Sequence, residues 1–162
     1  MTDPNLIPNT GPRLAEPWKR IVALLLDGLG LGLVVGLPVA LMVDSSTMSL
    51  NSSRASADFG SSLLGALITS VVYFLYYALM IGNFGKTVAG MILGIQVIGT
   101  DGSPATIEQG FRRSAWTLLG IVPVAGGLAQ IGLVIWGLVN LFNDPLRQTP
   151  WDKFGATMVV DG

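Results

Sequence analysis

The stretch KRIVALLLDGLGLGLVVGLPVALMV, Lys19 to Val43, decides the fold. From Ile21 to Val43 it is apolar except for Asp27. At about 1.5 Å per residue the run covers roughly 34 Å, enough to cross a hydrocarbon core of about 30 Å. Arg20 stands at its entrance with Trp18 and Lys19, an aromatic and basic anchor of the kind found at membrane interfaces. The run reads as a retained spanning helix rather than a cleaved leader. It follows some twenty mostly polar residues and is longer than the apolar region of a signal peptide.

Composition agrees. Hydrophobic residues make up 51% of the chain and charged ones 12%, about half the usual share. The net charge of −1 offers nucleic acid no basic field. With no cysteine and no histidine, thiol chemistry, disulfides and histidine proton shuttles are excluded. No nucleophile–base pair or metal cluster stands out, so neither an enzyme nor a cofactor is expected.

A second uncharged run, SLLGALITSVVYFLYYALMIG, extends from Ser62 to Gly82. Tyr73, Tyr76 and Tyr77 share one face of it. A third, residues 116–142, is interrupted by Pro123, Gly126 and Gly127, which points to a broken hairpin, Ile107–Val122 and then Leu128–Phe142, in place of one long helix. Thr106 and Gln109 form a capping-box pattern where its first limb begins. Gln130 is the bulkiest polar residue near the middle of this run, placed to bond across helices. The GNFGKT turn lacks the first glycine and the preceding strand of a phosphate loop. IQVIG and ATMVV read as strands able to form an antiparallel ribbon. The expected fold class is an all-α polytopic membrane protein, with two full transmembrane helices, a Pro/Gly-broken helical hairpin and a small cytoplasmic β-ribbon. Residues 1–17, with prolines at 4, 8, 12 and 17, read as a disordered cytoplasmic tail and 18–160 as the membrane domain. Lys19, Arg20, Lys86, Arg112 and Arg113 flank the helices on one side and place both termini in the cytoplasm, with the Ser-rich loop 44–60 and its Asn51 sequon outside.

Asp27 is the expensive residue. A charged carboxylate in a membrane core costs roughly 2.5–3.5 kcal/mol on insertion scales. Seven residues put Arg20 and Asp27 on nearly the same face but about 10 Å apart along the axis, so each needs another partner. For Asp27 the candidates are the Tyr73, Tyr76, Tyr77 face and the guanidinium of Arg112 or Arg113. For Arg20 the candidate is Asp152 in the closing segment. Beside Asp27, the Gly28, Gly32, Gly36 ridge permits close helix packing.

These pieces together resemble the RDD family of small bacterial membrane proteins, which is named for an arginine and an aspartate in its first membrane helix and a second aspartate. RIVALLLD supplies Arg20 and Asp27; GKTVAGMILGIQVIGTDGSPATIEQGFRRS resembles the family's middle stretch; RQTPWDKFGATMVV resembles its closing segment, with Asp152 as the second aspartate. Trp151 stands where a histidine often precedes that aspartate. The likeness runs from about Pro17 to Val160. It implies a bacterial inner-membrane protein with a possible transport role and a cation or proton site at Asp27. The competing reading is a structural or accessory subunit. The expected partners are the lipid bilayer and either further copies of the chain or a larger membrane complex.

Overall fold

The structure, a computed structural model, describes residues 12–44, 55–122 and 124–162; Asn51 and the first eleven residues lie outside these. Helix α1 (Pro17–Leu31) opens on a proline, whose missing N–H costs nothing at a first helical position. It continues through a π-helical turn, Gly32–Gly36, into α2 (Leu37–Asp44). Pro38 accounts for the widened turn: it lacks an N–H, and its ring would meet the carbonyl of Val34 in a regular helix.

Helix α3 (Ala55–Phe84) ends at Gly85, whose φ of 66° turns the chain sharply back. Thr87 then caps α4 (Val88–Leu93), its hydroxyl accepting the Gly90 N–H at 3.1 Å. GNFGKT is therefore a helix-to-helix turn. Strand β1 (Ile95–Gly99) pairs antiparallel with β2 (Thr157–Asp161), Ile95 opposite Asp161 and Gly99 opposite Thr157. Leu14 bridges to Val160 on the other edge of β2, and Ala15 donates to the Val159 carbonyl at 3.0 Å. Main-chain pairing with β2 thus holds residues 13–15, which fall within the segment 1–17 read from sequence as a tail.

Helix α5 (Ile107–Ser114) starts on the expected Thr106–Gln109 capping box and passes into a 3₁₀ run, Ala115–Ile121. The chain then breaks, with Val124 at positive φ, before α6 (Ala125–Asn143). The break allows the 3₁₀ run to lie beside α6, where Gln130 Nε2 donates to the Thr117 carbonyl at 2.9 Å. Gly126 is required at the bend, since any Cβ there would strike the Leu119 carbonyl. A short helix, α7 (Pro150–Phe154), leads into β2.

Among the described residues, three helical stretches are long and apolar enough to cross a membrane: Pro17–Met42, Leu63–Phe84 and Ala125–Asn143, of 26, 22 and 19 residues. The third was expected to begin at Leu128; the extra turn from Ala125 brings it to spanning length. Their outward faces are apolar, with Leu33 66% and Leu128 65% exposed, a surface suited to lipid and not to water.

The hairpin's first limb reaches α3 through two glycines. A Cβ on Gly110 would lie 2.5 Å from the Ala78 carbonyl, and one on Gly82 would lie 2.7 Å from the Ile107 Cα. Both obstacles are backbone and cannot step aside. Gly110→Ala is therefore expected to cost about 1–3 kcal/mol in thermal or denaturant unfolding, the usual range for overpacking. Gly132→Ala, where a Cβ meets nothing within 4 Å, should be neutral or mildly stabilising through helix propensity.

Candidate functional site

The polar interior is organised around two carboxylates. Asp152, fully buried, is the third residue of α7. Thr149 and Pro150 start that helix, and the Asp152 carboxylate accepts the Thr149 N–H at 2.9 Å and its hydroxyl at 2.7 Å, closing a capping box. The same carboxylate meets two guanidiniums: Arg20 Nη2 donates to Oδ2, and Arg113 Nη1 pairs with Oδ1. Arg20 also donates to the Arg147 carbonyl, and Arg147 Nη1 to the Ala15 carbonyl at 3.1 Å. Arg113 reaches the Thr157 hydroxyl at 3.1 Å, and Gln148 Nε2 the Thr157 carbonyl at 2.8 Å. One buried node thereby joins α1, α5, α7 and β2. Lys19 and Asp161, 2.7 Å apart, fasten the rim. At the α6–α7 turn, a hydrogen bond from Lys153 is the main cause that holds the Asp144 carboxyl below its usual range.

Asp27, 6% exposed, is held differently. The Tyr76 hydroxyl donates to Oδ1 at 2.8 Å, and the Ala89 N–H donates to the same oxygen at 3.2 Å. Tyr76 in turn accepts the Val88 N–H at 3.1 Å. The first turn of α4 has N–H groups with no intrahelical acceptor, and Asp27 and Tyr76 supply acceptors from α1 and α3. The opening carboxylate thus has a local reason to exist.

The other expected partners do not bond Asp27. Arg112 points to the wet side of α5 and pairs with Glu108, four residues back, at 2.6 Å. Arg113, a residue further round the helix, faces α7 and is taken by Asp152. Neither forms an ion pair with Asp27, which corrects that expectation. Tyr73 is not at Asp27 either; its hydroxyl lies 3.8 and 3.7 Å from the Cβ positions of Gly32 and Gly36. Those two glycines of the ridge seat Tyr73, whereas Gly28 faces open space. Tyr77 packs edge-on against Tyr76, ring centres 5.2 Å apart.

Beside Asp27 lies a cavity of about 100 Å³, lined by Asp27, Arg20, Arg113, Lys86 and Tyr77, with Trp116 and Trp151 also in its wall. The two indoles stack at 5.0 Å and 24°. Trp151 rests on Gly137, where a Cβ would come within 2.5 Å of the ring. Arg20 and Arg113 balance Asp27 and Asp152 in charge, and Lys86 adds one positive charge at the wall. Among the described residues no group of three histidine, cysteine or carboxylate side chains could hold a metal ion. Sequence reasoning missed the Ala89 N–H as an Asp27 donor and the Gly137 seat of Trp151. The first had a signal in Thr87, a cap that marks a helix start; the second had none, since Gly137 is one glycine among many.

The chain is thus a predominantly helical protein with three apolar helices of membrane-spanning length and a buried Arg–Asp node beneath a two-stranded sheet. It belongs to the RDD family, whose model matches residues 14–156. No curated protein and no solved structure matches it.

Asp152→Asn would leave two buried guanidiniums without a counter-charge, with only neutral acceptors around them. A loss of about 3–5 kcal/mol of stability is expected, as for removal of one partner from a buried ion pair. A double-mutant cycle of Arg20→Met with Asp152→Asn should show coupling above about 0.5 kcal/mol. Coupling indistinguishable from zero would mean that the two residues do not depend on each other.

Proposed function

We propose that this chain is a multi-pass protein of the bacterial inner membrane with a role in transport, and that Asp27 is its exchangeable site for a proton or small cation. The observation that carries this reading is the contrast between the two carboxylates. Asp152 is saturated by two guanidiniums and two Thr149 donors, so it serves as a structural rivet. Asp27 is also buried but is gripped on one oxygen by neutral donors, beside a cavity, with no ion pair to it among the described residues. A buried carboxylate with acceptor capacity to spare is where a cation or proton can be taken up and released.

Orientation follows from charge. Lys19, Arg20, Lys86, Arg113, Arg147 and Lys153 gather at the ribbon end of the molecule, which supports a cytoplasmic ribbon and cytoplasmic termini. Gly28, bare on the outward side of α1, supports the second reading, in which the chain packs against another copy or a larger membrane complex as an accessory subunit.

Asp27→Asn tests the first reading cleanly, because an amide oxygen can still accept from Tyr76 and Ala89 and the fold should survive. In proteoliposomes under an imposed ion or proton gradient, wild-type flux is expected and the variant should lose it while keeping its unfolding temperature. Equal flux in both would remove Asp27 as the site and leave the accessory reading in front. For orientation, Ala156→Cys in this cysteine-free chain should resist a membrane-impermeant thiol reagent applied to intact cells; rapid labelling from outside would reverse the topology.

A further inference from the structure

A second cavity, of about 330 Å³, lies further along α3, away from the ribbon. Thr69, Ser70 and Tyr73 line it from α3, Thr117 and Gly120 from the 3₁₀ run, and Gln130 from α6. Ser70 is 6% exposed, and none of the hydroxyls of Thr69, Ser70 and Tyr73 is hydrogen-bonded to a described residue. Gln130 spends its amide N–H on Thr117 and keeps its oxygen free. A Cβ on Gly120 would lie 2.7 Å from Ser70 Oγ, so the glycine keeps this space open. Ser70 is seven residues inside the apolar stretch that begins at Leu63, about 10 Å deep.

Hydroxyls at that depth are costly without partners. A cavity with hydroxyls in its wall supplies them by holding water, and this one is large enough for several molecules. Its wall carries no charge, so a bare ion would find no counter-charge there. Tyr73 lines this cavity, and Tyr77, one turn on, lines the Asp27 cavity. Opposite Tyr73, α1 is locally widened by the Gly32–Gly36 π turn.

We propose that the second cavity is a water-filled vestibule opening on the membrane face opposite the ribbon, and that Tyr73, seated on Gly32 and Gly36, is the constriction between it and the Asp27 cavity. This goes beyond the Asp27 reading and fails separately from it, because hydration is read by labelling and transport by flux.

Single cysteines test it in the lipid-reconstituted full chain. A thiol reacts as its thiolate, which needs water, so Ser70→Cys and Thr69→Cys should react with N-ethylmaleimide on the order of tenfold faster than lipid-facing Leu67→Cys. Ser70→Cys exchanges one atom and should fold as wild type does. Tyr77→Cys should resist an impermeant thiol reagent applied from the face opposite the ribbon, and should become reactive from that face when Tyr73→Ala is added. If Ser70→Cys and Thr69→Cys react no faster than Leu67→Cys, there is no vestibule. If Tyr77→Cys reacts equally with and without Tyr73, there is no constriction.

Discussion

The fold depends on Asp152 and its two arginines. Two guanidiniums cannot be buried together without a shared anion, and a buried anion cannot be left with one neutral donor. Arg20 comes from the first apolar helix, Arg113 from the hairpin's first limb and Asp152 from the short helix after its second. The charge requirement therefore selects one relative placement of three segments far apart in sequence. The ribbon, the Arg147 turn and the Trp116–Trp151 stack are arranged around that node. Apolar contact alone would not specify it, since lipid-facing leucines are as comfortable against lipid as against each other.

The two aspartates divide the work of burial in different ways. Asp152 is stabilised by opposite charge, Asp27 by a helix start and a phenol. The second grip is directional but carries no full positive charge, so the site can change occupancy without dismantling the node. The nearby arginines still matter to it: they share the cavity, and their excess over Asp152 is the charge that Asp27 balances.

Much of this was legible in the sequence. The apolar runs, the Thr106–Gln109 cap, the strand pair and the Arg20–Asp152 pairing follow from periodicity, capping chemistry and the cost of isolated charges. The family resemblance and the family match agree on nearly the same residues. What was not legible depends on rotation about a helix axis. Arg112 and Arg113 look interchangeable in a string, but 100° separates a solvent pair with Glu108 from the central node. Likewise Tyr73, Tyr76 and Tyr77 share a face, yet a single turn separates the hydroxyl on Asp27 from the one on Gly32 and Gly36. The glycine pair Gly82 and Gly110 was invisible because the two lie on different helices and mean something only when the two backbones meet.

The pairing of residues 13–15 with the last strand has a consequence for biosynthesis. Leu14 meets Val160, so a segment before the first apolar helix closes on one that follows the last described helix. Contacts so distant in sequence form late, and β2 leaves the ribosome after the helices that precede it. Arg20 and Arg113 must therefore wait, without their shared carboxylate, until the three described apolar helices have been made and Asp152 arrives. A chain cut short before that point would keep two unmatched arginines at the membrane boundary, a lasting mark of incompleteness that quality-control proteases could read.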